Sequence, residues 1–290
     1  MAAKQAKGTP SSGLIGGTLG FFVGFAAVAL FGPSAKKFQE VMHLTPLLLG
    51  LLVAAPNLSG SLLRIPFGAW VDSTGGRKPL LALLVLSIVG MGGLTWFVYA
   101  RYPDQLTADY YWLLFFLGVL SGCGIATFSV GIGQVSYWFP QSRQGAALGT
   151  YAGVGNLAPG MFSFLLPISL GVWGLAPSYL AWFIFLAAGT VLYYFAGANA
   201  PYFQYRRQGG SDEESTVLAR DAGQEIFPRG NAVESLRAAG KNWRTWSLTV
   251  IYFTSFGGFL ALTAWLPTYW ATYHDQALKT AGLLTALYSL

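Results

Sequence analysis

Charge is scarce in this chain, and acid is scarcer than base. Of 290 residues, 10% are charged, against about 25% in an ordinary soluble domain. That composition excludes a soluble globule. None of the eleven Asp and Glu lies in the middle of an apolar stretch: Asp72 stands at the end of one, and Glu40, Asp104, Asp109 and Asp275 lie between stretches. The other six fall in one polar segment, 199–245. The absence argues against a cation carrier and against a buried carboxylate that takes up and releases protons, since either would place an acid at membrane depth. There are two histidines, His43 and His274, both outside the apolar stretches, and no HExxH. A metal site or a catalytic base is therefore short of parts, and no enzyme, metal or cofactor is expected. GVGN at 153–156 and GIG at 131–133 are not nucleotide loops, because no strand pattern precedes them. One cysteine, Cys123, rules out an intrachain disulfide.

What is abundant is apolar length: hydrophobic residues make up 54% of the chain. Runs long enough to cross about 30 Å of hydrocarbon occur at 13–33, 44–71, 79–100, 111–139, 145–172, 178–198 and 246–270. An eighth begins at Thr280 and reaches the last residue, Leu290, after only about 16 Å of helix. The chain is thus expected to be an all-α integral membrane protein cut off inside its eighth helix.

Sorting the seventeen Lys and Arg by loop predicts the orientation. Twelve (Lys4, Lys7, Arg77, Lys78, Arg143, Arg206, Arg207, Arg220, Arg229, Arg237, Lys241 and Arg244) fall on one side and four (Lys36, Lys37, Arg101 and Lys279) on the other. This predicts a cytoplasmic N-terminus, and it explains the net charge of +6 without a nucleic-acid partner. The polar segment 199–245 reads as a cytoplasmic linker between residues 1–198 and 246–290, with its SDEEST run a solvated stretch. Glycines at four-residue spacing, Gly16, Gly20 and Gly24 in the first run and Gly145, Gly149 and Gly153 in the fifth, predict close helix contacts. Pro56, Pro66 and Pro159 predict kinks.

The seventeenth base is Arg64, inside the second run, LTPLLLGLLVAAPNLSGSLLRIPFGAWV. An ionised Arg at bilayer depth costs roughly 2.5 to 3.5 kcal/mol and usually faces a bundle interior or a watery cavity. Asp72, eight residues on, puts it about 12 Å from that helix end. Asn57, Ser61, Arg64 and Gly68 share one helical face, and Gly60 and Gly68 leave room on either side of the guanidinium. A planar fork of N–H donors suits a planar oxyanion, so an anion pathway is the first hypothesis.

Three segments carry a family resemblance. GAWVDSTGGRKP (68–79) resembles the loop motif of the major facilitator superfamily, with Gly68, Asp72, Gly75, Arg77 and Lys78 matching and Gly76 standing where a further base is usual. SYWFPQSRQGAALGTYAGVGNLAPGMF (136–162) is similar to the signature of its nitrate/nitrite porter (NarK-like) family. YFTSFGGFLALTAWLP (252–267) and GSLLRIPFG (60–68) look like that family's seventh and second helices. The resemblance implies a major facilitator fold: the N-terminal six-helix bundle plus the start of the second bundle, about 7.5 of twelve helices. A second substrate arginine and a second signature would then lie beyond Leu290. It implies nitrate and nitrite as substrates, moved across a bacterial-type inner membrane by a protein expected to be a monomer, with Arg64, Asn156, Tyr252, Phe128 and Phe256 at the substrate. The rival readings are a carrier of another small anion, such as an organic carboxylate, and a membrane fragment that does not itself transport. A fixed positive charge without a nearby acid suits nitrate/nitrite exchange, whereas FGGFLALTAWLP also resembles members that carry protons with the anion.

Overall fold

A computed structural model describes residues 5–228 and 237–289. All regular structure among them is helical, and seven helices are long and apolar enough to cross a membrane. They run Pro10–Met42, Pro46–Thr74, Arg77–Arg101, Ala108–Ser136, Gln141–Val172, Leu175–Ala196 and Trp243–Tyr273, and are called here the first to seventh spans. The eighth apolar run forms the helix Leu278–Ser289.

The first span is central: 78% of its apolar window is buried, against 11% of the seventh. Its glycines explain why. A side chain at Gly16 would strike the Ala196 carbonyl, at Gly20 Leu80 and Tyr193, and at Gly24 the Gly124 carbonyl and Thr127. The glycine stripe thus lets the first span sit against the third, fourth and sixth at backbone distance, as packing in lipid requires. The second span meets the fourth in the same way, Gly122 lying on the Pro56 backbone and Gly60 on Ile125. Gly60 is therefore a packing residue. Of the two glycines flanking Arg64, only Gly68 faces open space.

The matching expectation for the fifth span does not hold. Side chains added at Gly145, Gly149 and Gly153 would meet nothing within 4 Å. The fifth span packs instead through neighbouring positions. Gly155 lies under the ring of Phe21, and the fully buried Tyr151 stacks on Phe21 at 4.9 Å. One helical face holds the contact while the open glycines lie on another, so spacing alone does not reveal which glycine is in contact.

The predicted kink at Pro66 is a one-residue interruption, at which Leu63 keeps right-handed helical angles and the helical face continues. The helix Pro46–Leu62 ends and Arg64–Thr74 begins across Leu63. Pro66 has no N–H to give to the carbonyl four residues before it, and its ring crowds that position. Pro56 and Pro159 remain inside continuous helices, as does Pro167 in the fifth span.

The acidic run of the polar segment 199–245 is helical. Ser211 caps the helix Asp212–Asp221 in a capping box with Glu214, the acids Asp212, Glu213 and Glu214 fill its first turn, and Arg220 lies in its last. The charges complement the helix dipole at both ends. The cap's hydrogen bonds to the Glu214 carboxylate hold its pKa below the usual range. Ser215 and Ala219 are buried. A preceding short helix, Pro201–Arg207, joins this one through a hydrogen bond from the Tyr202 hydroxyl to Asp212, and burial, aided by that bond, pushes the Tyr202 pKa up to about 12. The Gln204 amide is tied to the backbone of Lys7 by two hydrogen bonds, at 2.9 and 2.7 Å, so the chain's start and the linker meet at one end of the bundle.

Candidate functional site

Arg64 opens the helix segment after the interruption at Leu63. Its side chain turns back along the span, and Nε donates to the Gly60 carbonyl at 3.2 Å. That carbonyl belongs to the last turn of the preceding helix, where a cation is favoured. The guanidinium carbon lies 5.3 Å from the ring centroids of both Phe128, on the fourth span, and Phe256, on the seventh. Those two rings stack on each other at 5.1 Å with 19° between planes, and Tyr252 stacks on Phe256 at 4.9 Å. The Tyr252 hydroxyl is an electrostatic partner of the guanidinium. Four of the five residues expected at the substrate, from three spans, thus form one cluster.

One donor of that guanidinium has no partner. The NH2 nitrogen of Arg64 is buried without a hydrogen bond, and no ion pair with a carboxylate involves Arg64 among the described residues. Aromatic faces offset part of the cost of burying a cation, on the order of 1 to 2 kcal/mol each at best. They do not satisfy a directional N–H, and a buried charge left unpaired is strongly destabilising. The arrangement therefore favours an anion beside Arg64.

Asn156 stands on the fifth span next to Gly155, over which Phe21 lies, and Phe21 touches Phe128 at 5.1 Å. Its carbonyl oxygen is buried and has no hydrogen-bond partner. The structure records no hydrogen bond between Asn156 and Arg64.

The matched loop residues sit elsewhere, at the linker end. Asp72 accepts a hydrogen bond from the Tyr137 hydroxyl at 2.7 Å. Gly75 has φ +77°, a left-handed conformation that other residues adopt at a cost, and lies against the Asn199 amide. That amide accepts from Arg77 N at 2.9 Å and donates to the Thr74 carbonyl at 3.0 Å. The Arg77 side chain donates to the Tyr194 carbonyl at 2.6 Å and lies 5.1 Å from the Tyr194 ring. Gly68 faces open space and Lys78 is exposed. Where the extra base is missing, Gly76 fits against Gln134. The turn after the second span is thus pinned to the end of the sixth.

Gln134 was not singled out by sequence reasoning, although an amide inside the apolar fourth run was a usable signal. It is buried, accepts from the Tyr193 hydroxyl at 2.7 Å and donates to the Ala198 carbonyl at 3.0 Å. Gln144, in the signature segment, closes the loop between the fourth and fifth spans by donating to the carbonyls of Ser136 and Phe139 at 2.7 and 2.8 Å. Much of that signature serves the fold: Gln144 ties the loop, and Tyr151 and Gly155 hold the fifth span to the first.

Comparison with known proteins agrees with this architecture. Residues 17–290 match the family described as Major Facilitator Superfamily. A probable nitrate/nitrite transporter NarK2 of Mycobacterium tuberculosis is 30% identical over 268 residues, 92% of this chain and 60% of that protein. A probable nitrate/nitrite antiporter NarK1 of Thermus thermophilus is 29% identical over 278 residues, 93% of this chain and 56% of that protein. The chain thus spans about 60% of the length of such relatives. Among solved structures, the xylose transporter XylE of E. coli, in a partially occluded inward-open conformation, superposes with a TM-score of 0.71 over 97% of this chain and 70% of that one. At 16% identity that likeness speaks for the fold alone. Seven apolar spans and a family match over nearly the whole length make this a multi-pass membrane protein, and the resemblance to nitrate/nitrite porters holds across nine-tenths of it: the chain belongs to the Major Facilitator Superfamily.

Proposed function

We propose that the protein carrying this chain moves nitrate and nitrite across a bacterial inner membrane by alternating access, with Arg64 as the substrate clamp. The observation that carries the reading is the buried, partnerless NH2 of Arg64 beside the Phe128 and Phe256 rings. A planar oxyanion supplies the missing acceptor to a buried nitrogen beside aromatic rings, where a charge-assisted hydrogen bond is strong. Asn156 and Tyr252 supply further polar contacts. Residues 1–198 form the first bundle, 199–245 the linker and 246–290 the start of the second, with Asp72, Gly75, Arg77 and Lys78 bracing the linker end of the spans. The two bundles rock around the midplane site. The protein works as a monomer.

Exchange is the favoured coupling. No Asp, Glu or His lies in the middle of a span, and a permanent positive charge that always prefers an occupant is satisfied when nitrate leaves as nitrite arrives. In proteoliposomes loaded with nitrite, labelled nitrate should accumulate inside without a pH gradient, while labelled lactate should not. Lactate accumulation with no nitrate entry would favour the carboxylate reading, and nitrate entry driven by protons with no internal anion would replace exchange by symport.

The linker faces the cytoplasm in this reading, as the distribution of Lys and Arg requires. A cysteine at Gly210, with the buried Cys123 replaced by serine, should react with an impermeant maleimide in inverted vesicles and resist it in intact cells. Labelling of intact cells would invert the topology.

A further inference from the structure

A second amide on the Arg64 span has the same deficit as Asn156. The carbonyl oxygen of Asn57 is buried with no hydrogen-bond partner. Its helix otherwise looks after its polar groups: Thr45 caps the Leu48 N–H, and Ser59 donates to carbonyls of Pro56 and Val119. An acceptor left unmade in an interior is costly, and the expense at this position asks for a reason.

The place of Asn57 supplies one. Gly50, Asn57 and Arg64 are seven residues apart, so they share one face about two turns from each other. That face looks at the seventh span: a side chain at Gly50 would meet Trp265 at 3.5 Å, and the Arg64 guanidinium lies by Phe256. Asn57 stands between these two contacts. Arg64 also leans toward it, since helical side chains tilt toward the N-terminus, and the hydrogen bond to Gly60 holds the guanidinium near that level. From Gly60 to Asn57 is about 4.5 Å of helix rise. The Asn57 amide thus stands about one helical turn from the guanidinium along this face.

We propose that Asn57 is a specificity-determining residue that completes the anion site from the end away from the linker, its amide NH2 donating to an oxygen the Arg64 fork leaves free. The inference rests on the nitrate/nitrite reading above. The NH2 and carbonyl of an amide exchange places by a half turn about the last side-chain torsion, which brings the donor to the buried position. Nitrate has three oxygens in its plane and nitrite two. When the Arg64 fork takes two, only nitrate offers Asn57 a third, so Asn57 acts on nitrate more than on nitrite.

The test is binding of nitrate and of nitrite to the purified native protein, by titration calorimetry, beside the thermal midpoint without anion. For Asn57→Leu, of similar volume and apolar, nitrate affinity should fall about tenfold, the worth of one hydrogen bond to a charged group, with nitrite affinity falling less than about threefold. The anion-free midpoint should hold or rise, because an unmet acceptor is removed. Unchanged nitrate affinity, equal losses for both anions, or a lowered midpoint would each overturn the assignment. Asn57→Asp gives an independent reading: a carboxylate one turn from the guanidinium should pair with it and abolish binding of both anions, and wild-type binding by Asn57→Asp would also overturn it. If the wild-type protein bound neither anion, the transport reading itself would fall and take this one with it; if wild-type bound both and Arg64→Lys neither, a silent Asn57→Leu would count against Asn57 alone.

Discussion

Arg64→Lys should reach the membrane at wild-type abundance and lose roughly nine-tenths or more of nitrate uptake, because lysine keeps the charge and discards the planar fork. The guanidinium is held by three features at once: Nε on the Gly60 carbonyl, and the ring faces of Phe128 and Phe256 at 5.3 Å each. Together they leave NH2 free toward a ligand. An ammonium has three rotating donors and no plane, so it cannot hold the carbonyl and the rings while presenting two parallel N–H groups. The lost hydrogen bond to an anion corresponds to about 1.5 to 3 kcal/mol, a factor of roughly 10 to 150. Uptake per unit of membrane protein is the measurement. A wild-type rate in Arg64→Lys would remove Arg64 from the substrate site.

Gly122→Val should be the most damaging substitution for folding. A side chain there meets the backbone of Pro56, including its carbonyl, and backbone cannot move aside as a flexible side-chain tip can. Overpacking of this kind costs about 3 kcal/mol or more, a large fraction of a total stability of about 5 to 15 kcal/mol. It would also push the second span, and Arg64 with it, away from the fourth. Gly153→Val provides the contrast. Nothing lies within 4 Å of the added atom, so Gly153→Val should fold at wild-type yield. Folded yield and thermal midpoint in detergent are the measurements. Equal yields for Gly122→Val and Gly153→Val would show that the contact between the second and fourth spans is not as close as the structure has it.

The contrast between those two glycines also marks what could be read in advance. Seven spans followed from apolar length alone, because the bilayer sets one thickness and every span must match it. Arg64 was conspicuous for the complementary reason: a charge at that depth is expensive. Aromatic partners on two other spans, Phe128 and Phe256, were legible only through the family resemblance, since aromatics are common throughout these helices. The acids of the SDEEST run are exposed, as a solvated stretch requires, but the helix Asp212–Asp221 that carries them was signalled only by the Ser211 capping box and the acids at its N-terminus, which composition does not weigh.

By itself the sequence determined how many helices cross, which loops carry the positive charge, and that one arginine lies where lipid cannot solvate it. These are properties of single helices set against a membrane, and composition and length suffice for them. Only the tertiary structure decided the rotation of each helix about its axis. That rotation buried Gly16, Gly20 and Gly24 against neighbours and left Gly145, Gly149 and Gly153 open. It brought Phe128, Phe256 and Tyr252 to Arg64, and it left single polar atoms of Asn57, Arg64 and Asn156 buried without partners. The physical reason is that helices in lipid are held by close packing rather than by hiding apolar surface. An apolar helix is equally content with lipid on any face, and the choice of face falls to the shapes of its neighbours.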